Sequence, residues 1–349
     1  MPGTPRFLRE TPEREKAPPL DALSDVLRLV RLTGAVFMDA EFTAPWCLIT
    51  QLKPELCAPF MAPAPHLIFY HYVVDGGMYA KSNESELIEL EAGDLVLFAR
   101  NDRHVLGSDL SLRPTEVADV ITPPQDCGLY SIVHGGGGAP TRLVCGFIGC
   151  EDARKNPVIA ALPSAIRLKA ADSGSAEWIR STFQFAANEI AKGNPGSATV
   201  MAKLSELLFV EAVRRFVDQL PEDQTGWLAG LRDPYVAPAL ALLHGDISRE
   251  WTVEDLSAAV GLSRSAFAER FTRMIGQAPK QYLLNWRMQV AADKLRNSNM
   301  HLAQIAIETG YESDAAFSRA FKKAYGEAPA SWRRKARSDE ISACADGPR

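Results

Sequence analysis

Arg319, Lys322 and Lys323 place three cations at helical spacing on one short stretch near the C-terminus. A guanidinium can donate two parallel hydrogen bonds to O6 and N7 of a guanine, whereas an ammonium holds a phosphate oxygen as a point charge. Fifty residues earlier the matching positions are Glu269, Thr272 and Arg273. Glu269 can only accept, as from cytosine N4, or it pairs with Arg273 one helical turn on. At about 100° per residue, the face holding Glu269 and Thr272 also holds Ser265, with Ala268 beside it. The face holding Arg319 and Lys322 holds Ala315, with Ser318 beside it. With Arg264 and Ser313 at the start of each stretch, these residues form a candidate nucleic-acid contact set.

A second group of chemically capable side chains lies in the front half. His71, His104 and Cys145 could supply three ligands to a first-row metal if the fold brings them together, and such a metal wants three or four. Trp46, His71, Tyr72, His104 and Cys145 are also the expected lining of a cavity for one small ligand. His66 and His134 fall in the same half, His244 and His301 in the other, and hydrogen-bonded structural roles account for most of them. The six cysteines, Cys47, Cys57, Cys127, Cys145, Cys150 and Cys344, show no C-x-x-C spacing, which argues against a disulfide framework or zinc finger. Cys47, Cys57 and Cys145 read as buried apolar thiols, or one of them as a redox or electrophile sensor. The glycines 135–138 after His134 lack the strand-to-helix context of a phosphate loop and read as a flexible hairpin loop.

The elements that must position these groups divide the chain in two. At 349 residues and 46% hydrophobic, it is long enough for about two cores. No stretch approaches the roughly 18 apolar residues of a membrane span, and residues 1–19 are charged and Pro-rich, so a cytoplasmic protein with a disordered tail is expected. The charge is polarised: residues 235–338 carry 15 Lys and Arg against 10 Asp and Glu, a net +5, while the remainder carries 23 against 33, a net −10. A basic end suits a polyanion, and an acidic end discourages non-specific binding.

After a helix expected over 20–32, short apolar runs at 46–51, 67–74, 87–90, 94–98, 128–133 and 141–147 read as strands of a sandwich or small barrel. One helix is expected through Trp178, Phe183 and Ala187, and another over 197–219. The apolar stripe of the second, Val200, Leu204, Leu207, Leu208, Val213 and Phe216, either packs on the barrel or forms a helix-to-helix dimer seam, the reading favoured here. Residues 221–234 read as a linker and 339–349 as a disordered tail.

An internal repeat organises the C-terminal third. Residues 263–279 lie over 313–329 with seven identities: Ser263/Ser313, Ala266/Ala316, Phe267/Phe317, Phe271/Phe321, Gly276/Gly326, Ala278/Ala328 and Pro279/Pro329. Each copy has a capping serine, two phenylalanines on one face, and Gly then Pro as a stop. Upstream of each runs another short helix, one opened by the Thr252–Asp255 capping box and ended at Gly261, the other through Ile305 and ended at Gly310. Helix, tight turn, helix occurs twice, at about 253–274 and 301–324. Residues 280–297 join the units as a rod of roughly 27 Å, near one turn of B-DNA.

On these residues the chain resembles the AraC/XylS family of bacterial transcription regulators. The likeness covers roughly residues 236–335 and is carried by residues 251–256 and 261–264, by Phe267 to Gly276, and by Pro279, Tyr282, Trp286, Arg287, Met288, Ala291, Leu295, Ile305, Ala306, Gly310, Tyr311, Phe317 to Lys322, Gly326 and Pro329. The resemblance implies two helix-turn-helix units on a linker helix, with each second helix in the major groove. Residues 90–98 followed by His104, and 143–147 with Leu162 and Pro163, are similar to a cupin-type sensing domain. Two departures count against its metal site: residues 99–102 replace the usual Pro-x-Gly turn, and Tyr70-His71-Tyr72 offers one histidine where the motif supplies two.

The expected fold is therefore α+β in two domains: a cupin-like β-barrel with flanking helices over 20–220 and an all-α DNA-binding domain over 235–338. The expected function is a non-enzymatic, sequence-specific transcription regulator without a cofactor. Its partners are double-stranded DNA, a small-molecule effector and a second copy of the chain, and no membrane. The alternative is a cupin metalloenzyme with an accessory DNA-binding domain, which stoichiometric metal and turnover would reveal.

Overall fold

The computed structural model describes residues 22–30, 32–51, 64, 66–123, 130–150, 156–169, 181–182, 185, 197–221 and 223–345. The expected tail at 1–19, Cys57, Cys127, and Trp178, Phe183 and Ala187 of the expected helix lie outside them; residues 181, 182 and 185 of that stretch are helical. The front half opens with α1 (Ala22–Leu29) and continues through twelve described strands: β1 (Leu32–Thr43), β2 (Cys47–Thr50), β3 (His66–Asp75), β4 (Gly77–Ser82), β5 (Ile88–Glu91), β6 (Leu95–Phe98), β7 (His104–Gly107), β8 (Thr115–Glu116), β9 (Ile121–Thr122), β10 (Tyr130–Gly135), β11 (Pro140–Cys150) and β12 (Ile166–Leu168). They form one sheet in the order β12-β6-β3-β11-β1-β10-β9 and a second in the order β5-β4-β7-β2-β8.

Side-chain alternation sends each central strand into two cores at once. On β3, Leu67, Phe69 and Val73 face the inner core between the sheets, while Ile68, Tyr70 and Tyr72 face an outer core under the helices. Strands β6 and β11 divide likewise, Val96 and Phe98 or Leu143, Cys145 and Phe147 inward, Leu95 and Leu97 or Val144 and Ile148 outward. Burial on both faces explains why these segments read as nearly continuous apolar runs. Strand β1 escaped the sequence reading although Met38, Ala40 and Phe42 alternate with Asp39 and Glu41; it pairs with both β10 and β11, and Arg142 bonds Asp39 at 2.9 Å. The glycines after β10 are less free than a flexible loop: Gly136 N–H donates to Thr43 O, Gly138 N–H to Ala44 O and Gly137 N–H to Thr43 Oγ1.

Helix α2 (Pro157–Ala161) precedes β12, and α3 (Ser197–Gln219) follows it. The stripe on α3 does not face outward whole. Leu208, Phe209, Ala212, Val213 and Val217 are buried in the outer core, Leu204 and Phe216 pack at its edge, and only Val200 and Leu207 of the expected seam are exposed.

The back half is helical: α4 (Trp227–Gly230), α5 (Val236–Gly245), α6 (Val253–Ala259), α7 (Arg264–Ile275), α8 (Pro279–Asn297), α9 (Leu302–Glu308), α10 (Asp314–Tyr325) and α11 (Pro329–Ala345). Helices α6 and α7 are the first helix-turn-helix unit, α9 and α10 the second, and α8 joins them. The caps follow the sequence: Thr252 Oγ1 accepts from Asp255 N–H at 3.0 Å while Thr252 N–H donates to Asp255 Oδ2, and Ser263 and Ser313 each accept the amide three residues on. Gly276 and Gly326, at φ 79° and 81°, close α7 and α10 in the left-handed conformation, and Pro279 and Pro329 start the next helices.

Two segments differ from expectation. Residues 221–234 are not a bare linker: Trp227 and Leu228 of α4 are buried, Trp227 Nε1–H donates to Tyr282 Oη at 2.9 Å, and Arg270 bonds the Asp233 carboxylate at 2.8 Å. A four-residue helix between Gly226 and a proline is too short to show a period. The expected tail from 339 is helical to Ala345 as the end of α11. No helix among the described residues is long and apolar enough to cross a membrane.

Candidate nucleic-acid interface and barrel cavity

The two second helices share one plan of burial. Phe267 and Phe271 on α7, and Phe317 and Phe321 on α10, are fully buried, the members of each pair packing 5.6 and 5.8 Å apart between ring centroids. Ser265, Glu269, Thr272 and Arg273 on α7, and Ala315, Arg319, Lys322 and Lys323 on α10, are exposed, with Ala268 and Ser318 half-buried at the edge. These are the faces expected from the position of the phenylalanines.

The two faces differ in charge. Arg264 is held by Glu254 at 2.7 Å, so the start of α7 is neutralised within the domain. Among the described residues, Glu269 and Arg273 form no ion pair, and neither do Arg319, Lys322 and Lys323. Helix α10 thus offers three uncommitted cations at its surface. Ser313 is occupied as a cap, and its hydroxyl serves Ala316 N–H.

The relative placement of the units depends on a residue that the sequence marked only as part of a resemblance. Arg287, buried on α8, donates from Nε to Ile247 O at 2.7 Å and from its two terminal nitrogens to Ser248 O, Arg249 O and Gly310 O at 3.2, 2.9 and 3.2 Å. The first three carbonyls precede the first unit, and the fourth is the turn of the second. Gly310 sits at φ +76°, and an added Cβ would lie 2.5 Å from the Arg287 guanidinium. The fit admits only glycine.

In the barrel, the structure brings His71 and His104 together with their Nε2 atoms 3.0 Å apart, and His104 Nδ1 lies 2.9 Å from Asp102 O. Phe98 stacks on His104 with centroids 4.0 Å apart. A small cavity between the sheets is lined by His71, Cys145, Met38 and Leu143 among others. Tyr72 is not at this cavity, because alternation turns it to the outer core, and Trp46 instead stacks on Phe42 at 4.0 Å without lining the cavity. His104 is not among the residues lining it. No group of three His, Cys, Asp or Glu among the described residues could hold a metal. Two nitrogens already engaged with each other do not meet a cupin metal's ligand requirement, and Cys145 does not complete the set.

Two of the candidate thiols, Cys47 and Cys145, lie buried in the barrel. Burial, then the Asp39 charge, pushes Cys145 well above the usual thiol range, and burial with Asp109 raises Cys47. Neither carries appreciable thiolate at neutral pH.

Burial pulls His104 down to about 4 against the opposing bond to Asp102, and burial with His104 beside it pulls His71 well below the usual range. Both rings are depressed in the folded state, so the unfolded chain takes up protons first as pH falls below about 6.5. Stability from this pair is full above that pH and is lost towards pH 4. Lowering the pH from 7.5 to 5 is expected to cost about 2 kcal/mol through His104 alone. Melting curves of the chain across that range check this; a midpoint that is flat with pH would show the rings to be solvated.

A cupin family model matches residues 21–218, and a helix-turn-helix domain model matches residues 256–335. A protein of Streptomyces lividans described as an AraC-like transcription regulator is 30% identical over 90% of this chain and 98% of its own length. The HTH-type transcriptional regulator AlkR of Acinetobacter baylyi is 27% identical over 90% of this chain and 100% of its own. Among solved structures, the DNA-binding domain of AdpA, the global transcriptional factor, in complex with a target DNA is 30% identical over 30% of this chain and 95% of that one, with a TM-score of 0.29.

Proposed function

Because the chain belongs to the family of AraC-like transcription regulators that join a cupin domain to a helix-turn-helix DNA-binding domain, we propose that α7 and α10 enter successive major grooves and that one chain reads two half-sites. The observation that carries this reading is the matched exposure of the two second helices on either side of α8, whose 19 residues span roughly 28 Å. The units are unequal readers. Arg319 is the principal base reader, by a two-pronged contact to guanine, Lys322 and Lys323 hold phosphate, and Ser265, Glu269, Thr272 and Arg273 form the first unit's weaker contact.

Replacing Arg319 with alanine is expected to weaken binding at the specific site by about 1–3 kcal/mol and to relax preference at one or two base pairs. Lys323→Ala should weaken all sequences alike and lower the salt slope by about one. Binding-site selection on both variants checks the assignment; unchanged preference for the Arg319 variant at every position would remove it as a base reader.

The DNA-binding unit begins near residue 226 rather than 235, since Gly226, α4 and Asp233 bond to the first unit and α8. The barrel acts as a sensor rather than a catalytic centre, in a cytoplasmic regulator. An effector there acts only by binding two arrangements of the chain with different affinity. Contact between α1 and the back half supplies a route, because Ala22 and Val26 share a core with Phe271 and Trp286, and Asp25 lies 3.6 Å from the buried His244. Homodimerisation through the exposed strip of α3 at Val200 and Leu207 would pair two such chains on DNA.

A further inference from the structure

The buried histidine pair fixes its own protons. A carbonyl can only accept, so the His104 Nδ1 that lies 2.9 Å from Asp102 O carries hydrogen, and His104 Nε2 is bare. The hydrogen in the 3.0 Å contact between the two Nε2 atoms therefore belongs to His71. Burial keeps His71 neutral, which leaves its Nδ1 as a bare acceptor, and no donor of the described residues reaches that atom. His71 lines the cavity and His104 does not; with the Nε2 end taken up by His104, Nδ1 is the acceptor that His71 keeps, itself buried, so that a donor reaches it only as the walls part.

Among the described residues the rest of the wall is apolar, as at Met38, Phe42, Leu106 and Leu143, with Thr50 and Cys145 the other polar residues and no charged side chain. A carboxylate or an ammonium entering this space would lose its hydration without gaining a counter-charge. We infer that the barrel takes a small, mostly apolar molecule bearing one neutral hydrogen-bond donor, such as an alcohol, a phenol or an amide N–H, seated on Nδ1 of His71. This rests on the reading of the barrel as the effector site.

The size of the cavity adds a consequence. It holds about 20 Å³, room for roughly one water, so the apolar body of a ligand enters only by parting the aliphatic walls. Occupied and empty barrels then differ in shape, which is the difference in state that an effector needs. Strand β1, which supplies Met38 and Phe42 to the wall, follows directly on α1 and its contact with the back half.

The test uses the full chain and three probes: 1-hexanol, its isomer 1-methoxypentane, which keeps the oxygen but lacks the donor, and hexanoate. At pH 7, calorimetric titration is expected to give hexanol an affinity about tenfold or more above that of the ether, with hexanoate weakest. The ¹⁵N resonance of His71 Nδ1 in the unsubstituted protein should move on adding hexanol and stay in place with the ether. In His71→Leu, hexanol should lose that preference; if this variant does not fold, the ¹⁵N measurement decides by itself. Equal or tighter binding of the ether or of hexanoate, or no binding of any probe, overturns the assignment. Affinity for DNA from the region beside its own gene is measured in parallel. Hexanol bound at His71 with DNA affinity unchanged would support the site and refute the effector reading.

Discussion

Phe317→Ala is expected to destabilise the second helix-turn-helix unit by about 3–5 kcal/mol, and Phe267→Ala the first by a similar amount. Each ring is completely buried and packs on its partner phenylalanine, so truncation removes a large apolar surface and leaves a cavity. The two losses should spread differently. Phe317 sits in a core confined to the second unit, with Leu295, Ile305 and Phe321, whereas Phe267 belongs to the core that continues through Trp227 and Val236 to α1 and the outer face of the barrel. Urea unfolding followed by hydrogen exchange should show α9 and α10 alone opening in the Phe317 variant, and protection falling as far as α1 in the Phe267 variant. DNA binding then fails as a consequence of unfolding. Unchanged unfolding midpoints in both would show that these rings are not core.

Replacing Arg287 with methionine is expected to cost roughly 3 kcal/mol or more. Four part-buried backbone carbonyls lose their donor, and each one left unsatisfied costs up to about 1–3 kcal/mol before water, which reaches the exposed Ser248 and Arg249, relieves part of it. The functional loss should exceed the stability loss. Arg287 ties the segment before α6 to the turn after α9, so without it the two second helices are no longer held at one spacing, and an operator with both half-sites should lose more affinity than one with a single half-site. Arg287→Lys should not rescue this, because one ammonium cannot serve carbonyls contributed by both units. Parallel binding titrations on one-half-site and two-half-site DNA check it; equal losses on both would assign Arg287 to stability alone.

The back half was legible because its signals are local. A capping serine, phenylalanines four apart and a terminal glycine each act within a dozen residues, and their repetition at an offset of 50 excluded chance. The exposed face of each second helix followed from the buried face by helical geometry alone. The strands were legible in part, since runs such as 67–74 are apolar on both faces, yet alternation alone could not say which face meets which layer. Tyr72 and His71 are neighbours in sequence and belong to different cores.

What the sequence determined by itself is therefore the two helix-turn-helix units, their caps and their exposed faces, because backbone hydrogen bonding and helical periodicity are short-range. What only the tertiary structure decided is every relation between distant segments. His71 and His104, 33 residues apart, became a buried pair; Cys145 came to the cavity without completing a metal site; the stripe on α3 went mostly into the outer core; and 221–234 was drawn into the first unit by Trp227 and Asp233. Arg287 shows the reason most directly: its role depends on four carbonyls contributed by two other segments, and a side chain's partners are chosen by packing in three dimensions rather than by the residues beside it.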